Sequence, residues 1–361
     1  MKNKLSLLLI LLIIVALMSC KNSEVAKETA APAAVEKSIA GSYIGYSWKG
    51  ESKGTALEDA SQKIQTILTL DDNGIITDAS MLFWKLSGGS WYTRQDSTAR
   101  ISADLSINPV AATPGSDYKK GKSMFTIDTH DTMSLYAVKV GADATTALLI
   151  VEPTTRYMYE IKFPSGYDFS TTIEKISVDG TAGGFIPTVR ASSSGLIKPA
   201  SWTELEGMNL LSISPFDHVM VDYGVFKGLG KTTSMKLFLE TAGVEFADGK
   251  PQESKLLYGR HSSGGWQGNY ESIQNFLIGK NATEMTSLVN WSNERWAKAI
   301  NADNFFGVDY DANSGATKTA QSSFDTIAGA TVRMSRESTS FQRALAAAGV
   351  IADDDVVKGR F

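Results

Sequence analysis

The strongest constraint on the fold is a series of short β-rich segments cut by Gly, Asp, Pro and Thr turns, followed by segments with helical apolar spacing. Ile64–Leu70 reads Ile-Gln-Thr-Ile-Leu-Thr-Leu, Asp71-Asp-Asn-Gly74 supplies a turn, and Ile75-Ile-Thr-Asp-Ala-Ser-Met81 resumes. Two β-rich runs around a glycine-containing polar turn predict a hairpin. Further strands are expected at Ser123–Asp128, Ser134–Val140, Ala147–Val151, Tyr157–Phe163 and Thr172–Val178. Helical spacing is expected over Thr233–Ala242, Glu271–Ile278, Thr283–Ile300 and Ser335–Ala348. In the last of these Phe341, Leu345 and Ala348 share one face, and Gly349 stands where a C-terminal cap belongs. Strands first and helices later predict an α+β fold, with an antiparallel β-rich N-terminal half and a more helical C-terminal half.

The N-terminus carries an address. Lys2 and Lys4 precede the apolar run Leu5–Met18, interrupted only by Ser6, and Leu17-Met18-Ser19-Cys20 follows. A charged start, a short apolar core and a small residue before a cleavage point predict a secretory signal over residues 1–19. The run is about 14 residues, short of the roughly 20 that span a bilayer. The cysteine directly after the small residue resembles the lipobox of bacterial lipoproteins, which implies diacylation of Cys20 as the new N-terminus. Cys20 is the only cysteine of the 361 residues, so the mature chain has no disulfide and no thiolate metal site. Residues 20–38, with Pro32 and without an aromatic residue, are expected to form a flexible tether between lipid and domain. Removing the signal takes Lys2 and Lys4 away and moves the formal charge from −4 to −6. That balance argues against a nucleic-acid partner, which usually meets a basic patch. The expected location is extracytoplasmic, periplasmic or cell surface, held to a membrane through the lipid.

Two short segments near the C-terminus share a pattern: Asp311-Ala-Asn-Ser-Gly-Ala-Thr317 and Asp325-Thr-Ile-Ala-Gly-Ala-Thr331. Both read Asp-x-x-(small)-Gly-Ala-Thr. This resembles the flavinylation motif of the bacterial FMN-binding domain, and Gly41-Ser-Tyr-Ile-Gly45 followed by the hairpin resembles that domain's opening. The resemblance implies covalent FMN, joined through its phosphate to the motif's last threonine by a flavin transferase. It further implies an electron carrier working between a redox donor and an acceptor. For such chemistry Gly329 lets the backbone approach closely or take φ > 0, Ala330 leaves room for the phosphate, and Thr331 supplies the oxygen. A phosphate placed just before the Ser335–Ala348 helix would lie at its positive end, with Arg333 and Arg336 able to add charge-assisted contacts. Thr331 is favoured as acceptor because Ile327 and a full helix flank it. Thr317, closer to the family pattern at Ser314 and Thr319, remains the alternative, alone or together with Thr331.

On this reading residues 39–190 form a β-rich domain and residues 191–353 an α+β FMN-binding domain. The first is a candidate degenerate duplicate, because Asp179-Gly-Thr-Ala-Gly-Gly and Thr188-Val-Arg-Ala-Ser192 echo Asp325–Ala330 and Thr331-Val-Arg-Met-Ser335. Gly264-Gly-Trp-Gln-Gly268 is either a loop whose Trp266, with Tyr270, stacks on the flavin ring or an ordinary glycine-rich turn with a core tryptophan, the commoner outcome. His130, His218 and His261 are far apart in sequence, and hydrogen-bonded structural roles are commoner for them than a metal site. No metal ligand set and no catalytic constellation is expected. The competing reading is a cofactor-free surface binding or adhesion lipoprotein, and an FMN enzyme acting on a small substrate is a third.

Overall fold

The computed structural model describes residues 38–96, 98–114, 121–131, 133–151, 157–178, 184–190, 201–210, 225–260, 264–291, 327–330, 332, 334–359 and 361. The signal, Cys20 and nearly all of the tether lie outside the described residues, as do Thr317, Asp325, Thr331 and Arg333. Residues 38–361 cluster as one compact unit.

In chain order the elements are β1 (Gly41–Trp48), β2 (Gln62–Leu70), β3 (Ile76–Ser87), β4 (Ser90–Thr93), β5 (Ala99–Ala103), β6 (Phe125–Thr129), β7 (Leu135–Val140), β8 (Thr146–Val151), β9 (Tyr157–Phe163) and β10 (Ile186–Arg190). Then come α1 (Met235–Thr241), β11 (Phe246–Ala247), β12 (Lys250–Pro251), β13 (Leu257–Arg260), α2 (Gly265–Leu277) and α3 (Met334–Ala347). The architecture is α+β as expected: antiparallel sheets dominate the first half and the helices belong to the second.

The first sheet is a meander in the order β1-β2-β3-β4. Its β2–β3 hairpin forms where the sequence places it. Asp71 Oδ1 accepts from the backbone N–H of Asn73 (2.9 Å) and Ile75 (2.8 Å), and Gly74 takes φ 77°, which a side-chain-bearing residue adopts at a cost. Along β2 the residues Ile64, Thr66, Leu68 and Leu70 face inward and are buried. That inner face is covered by α3, which crosses β1 and β2, and by α2, which lies on β3. The core between them joins Ile64, Leu68, Met81 and Phe83 to Trp266, Ile273, Ile327, Phe341 and Leu345. Full burial of a ring such as Phe341 is worth roughly 1.5–3 kcal/mol. Three polar ties fix the depth of α3: Ser47 Oγ donates to Arg336 O (2.8 Å), Thr66 Oγ1 and Ser340 Oγ share a hydrogen (2.7 Å), and Arg343 donates to Tyr46 O (2.6 Å) while pairing with Glu51. The helix ends as expected, with Gly349 at φ 75° and Val350 N–H donating to Leu345 O (2.9 Å).

The second sheet runs β10-β9-β8-β7-β13, all antiparallel. Every residue of β8 is buried, because both sheet faces are covered. Val138, Val140, Leu148, Ile150 and Phe163 pack against Phe238 and Leu239 of α1 on one side. Leu135, Ala137, Leu149 and Val151 pack with Met124 and Phe125 on the other.

Packing runs across the expected boundary at 190/191. The chain's two ends share one core, since β1–β3 pack against α2 and α3, while β13 from the second half completes the second sheet beside β7. Two expected elements are corrected. Thr172–Val178 is not a strand but contains a 3₁₀ turn at Ile173–Lys175, because its amides are drawn to Thr233 O (Ile173) and Lys231 O (Glu174). The expected helix from Thr283 does not form over the described residues 283–291. There Asn281 Oδ1 accepts from both the amide and hydroxyl of Thr283, and Leu288 N–H is spent on Ser338 Oγ (3.1 Å), so local side-chain bonds compete with the helical ladder. Of the internal echo, Thr188–Arg190 belongs to strand β10, while most of the other echoing residues, including 179–183, 325, 326, 331 and 333, lie outside the described residues.

Candidate functional site

The second motif copy ends in a tight turn against α2. Ala330 N–H donates to Ile327 O (3.3 Å) and Gly329 takes φ 84°. The positive φ favours glycine here, and a Cβ on Gly329 would lie 2.6 Å from Ser272 Oγ, so an added side chain would have to displace that hydroxyl. Ile327, Ala330 and Val332 are buried in the core that holds α3. Thr331, Asp325 and Arg333 lie outside the described residues, as do Thr317 and the first motif copy. In sequence Thr331 comes between Ala330 and Val332, both buried, and three positions ahead of Met334, where α3 begins.

Around the first turn of α3 the fold gathers rings and charges from distant parts of the chain. Phe83 of β3 is the centre, with Trp266 edge-on at 5.0 Å and Phe361 edge-on at 5.5 Å. The Arg94 guanidinium lies 4.2 Å from the Phe83 centroid and 5.2 Å from that of Trp266. Arg336 lies 4.9 Å from Phe83, 5.4 Å from Trp266 and 5.6 Å from Phe361. Each such contact favours the cation by roughly 0.5–2 kcal/mol, but two guanidinium groups on the same rings repel. Burial first, and then the charge of Arg336, bring the Arg94 pKa down to about 10.

The compensating carboxylate is Glu337, fully buried in the same turn. Its Oε1 accepts from Tyr270 Oη (2.8 Å) and Arg336 Nε (3.0 Å). Burial, and next the negative charge of Glu337, hold the Tyr270 phenol well above its ordinary range. Among the described residues, buried side-chain polar atoms without a hydrogen-bond partner concentrate here: Arg94 Nε, Trp266 Nε1, Ser335 Oγ and Glu337 Oε2. A buried group left unpaired costs about 1–3 kcal/mol. Around the start of α3, a 14-residue helix, the unpaired atoms are thus three potential donors, Arg94 Nε, Trp266 Nε1 and Ser335 Oγ, and one carboxylate acceptor, Glu337 Oε2, so donors outnumber acceptors beside the helix's positive end.

Trp266 occupies a different place from a flavin-stacking loop. Gly265-Trp-Gln-Gly268 is the first turn of α2, and Trp266 is 5% exposed. Its ring is packed by Phe83, Tyr270, Arg94 and Arg336, so it serves the core. The glycines have their own reason: Gly264 and Gly265 take φ 69° and 71°, and a Cβ on Gly265 would sit 2.7 Å from Arg260 Cδ and closer still to Asp131 Oδ2. That carboxylate caps α2 by accepting from Trp266 N–H (3.1 Å) and pairs with Arg260 (3.4 Å). Burial raises the Asp131 pKa against the lowering pull of Arg260. His130 next to it stacks on Tyr92 at 4.3 Å, and His218 and His261 lie outside the described residues.

Sequence reading overlooked Arg94 and Glu337. A lone arginine after a short strand gives no local signal, and the alternation that points Phe83 inward marks only one of its partners. Compared with protein-family models, with curated proteins and with solved structures, the chain finds no match. The resemblance to the FMN-binding domain therefore rests on the motif residues alone.

Proposed function

We propose that the protein is a lipid-anchored, extracytoplasmic electron carrier that holds FMN covalently through Thr331. The observation that carries this reading is the Gly329–Ala330 turn within the Asp-x-x-x-Gly-Ala-Thr pattern, which packs against Ser272 of α2 four to five positions ahead of Met334, where α3 and its excess of unpaired donors begin. When bound, the flavin supplies reversible electron uptake at its ring, chemistry that is the cofactor's own. The chain's part is to present a hydroxyl at Thr331 and to favour the phosphate's charge with the helix terminus and the Arg336 and Arg94 guanidinium groups. Glu337 and Tyr270 hold Arg336 in place. Cys20 would supply the anchor, since two or three acyl chains hold stably where one does not. Among the described residues no helix is long and apolar enough to cross a membrane.

The test is co-expression with a flavin transferase in the presence of FAD and Mg²⁺. The protein should gain the mass of one FMN less water, on the peptide containing Thr331. Thr331→Val keeps the β-branched shape, removes only the hydroxyl, and should abolish the gain. Full labelling of that variant together with loss in Thr317→Val would move the acceptor to the first motif copy.

A further inference from the structure

The outer face of the first sheet carries aromatic rings where the solvated face of an antiparallel sheet ordinarily carries polar residues. Because Ile64, Thr66 and Phe83 point toward the helices, their neighbours Lys63, Gln65 and Trp84 point away from them. Register places Gln65 opposite Tyr46, Lys63 opposite Trp84, and Leu86 opposite Trp91. Tyr46, Lys63, Gln65, Trp84 and Trp91 together line an open cleft of about 270 Å³.

The cleft is pre-arranged. Gln65 Nε2 donates to Tyr46 Oη (2.9 Å), and Gln65 Oε1 accepts from Trp84 Nε1 (3.2 Å), so one amide holds two rings. Lys63 Nζ lies 4.4 Å from the Trp91 centroid and 5.7 Å from that of Tyr46. Among the described residues, no carboxylate forms an ion pair with it. The unused polar valences are nearly all donors: the ammonium hydrogens of Lys63, the Tyr46 hydroxyl hydrogen and the second amide hydrogen of Gln65. Ring faces, an uncompensated cation and spare donors call for a ring-shaped ligand with a carboxylate and further oxygen acceptors. The volume lies just below that of sites enclosing drug-sized ligands, roughly 300–1,000 Å³, and it opens to solvent. It therefore suits one unit of a longer hydrophilic chain whose other units stay in water, rather than an apolar aromatic acid that needs enclosure.

We propose that this cleft binds an acidic sugar unit of an oligosaccharide, with the uronate ring stacked on the tryptophans, its carboxylate on Lys63 and its hydroxyl oxygens on Tyr46 and Gln65. The inference stands apart from the flavin reading, which concerns the opposite face of the sheet. The experiment titrates the full-length, detergent-solubilised protein with trigalacturonate, neutral maltotriose and benzoate, by calorimetry and tryptophan fluorescence. Trigalacturonate should bind saturably, at least about tenfold more tightly than either comparator, and weaken as salt rises. Lys63→Met keeps the stem, removes the charge and should weaken binding about tenfold while cancelling the salt dependence; Lys63→Arg should retain it. Trp91→Ala should weaken binding by a similar factor, and if that variant fails to fold, Lys63→Met carries the test alone. Thr331→Val should bind as wild type. Absence of saturable binding, equal binding of maltotriose, tighter binding of benzoate, or an unchanged Lys63→Met would each overturn the proposal.

Discussion

Replacing Gly45 with alanine tests whether the helix that follows the motif is seated on the first strand as described. A Cβ at this position would sit 2.8 Å from Arg343 C, and closer still to Ser340 O and Ala344 N. All three are backbone atoms of α3, so no side chain can swing aside. The helix must lift from β1, against the Ser47–Arg336 and Thr66–Ser340 hydrogen bonds that fix its depth. Overpacking typically costs 1–3 kcal/mol, and with backbone on the receiving side we expect about 3 kcal/mol. With a urea m-value of about 2–3 kcal/mol/M, the unfolding midpoint of the mature protein should fall by about 1–1.5 M. Gly54→Ala is the control: nothing lies within 4 Å of its added Cβ, but φ is +82°, so only backbone strain of about 1–2 kcal/mol is expected. Urea denaturation followed by circular dichroism reads both. A Gly45→Ala midpoint equal to wild type, or higher than that of Gly54→Ala, would refute the close seating of α3 and with it the placement of the donor cluster.

Two other perturbations separate parts of the account. Glu160 is fully buried, accepts from Met124 N–H (2.8 Å), Thr188 Oγ1 (2.9 Å) and Ser123 Oγ, and has its pKa raised, chiefly by burial. A raised folded-state pKa gives stability that is full below the ordinary carboxylate range and is lost as pH rises through the folded value. Wild type should therefore lose stability from that range toward neutral pH, and Glu160→Gln should flatten the slope. Part of it should remain, because burial raises Asp131 as well; an unchanged slope in thermal melts across this window would count against the burial of Glu160. Cys20→Ala should shift the protein to the soluble fraction or leave an uncleaved precursor; a correctly cleaved variant that still sediments with membranes would point to a protein partner as the anchor.

What could be read from sequence was local. The β2–β3 hairpin was legible because alternation and the Asp71–Gly74 turn agree, and α3 because Phe341 and Leu345 keep helical spacing up to the Gly349 cap. The segment from Thr283 failed because apolar spacing is blind to Asn281 and Ser338, whose side chains take the backbone donors a helix would use. The shared core of the two chain ends was also invisible, since nothing near Gly45 announces that residues 340–344 will lie against it. The same holds for the candidate site. Gly329, Ala330 and Arg336 came from the motif and its neighbourhood, whereas Arg94 is brought in by the fold alone. Trp266 was singled out for its glycines, and those answer to Asp131 capping α2 rather than to a ligand.

The central claim is covalent flavin at the start of α3. Its most direct measurement is the intact mass and peptide map of the protein purified from its native host, with in-gel flavin fluorescence after denaturation. The account predicts a fluorescent band and one FMN less water on the peptide containing Thr331. A protein of unmodified mass, carrying flavin at neither Thr331 nor Thr317, would contradict it.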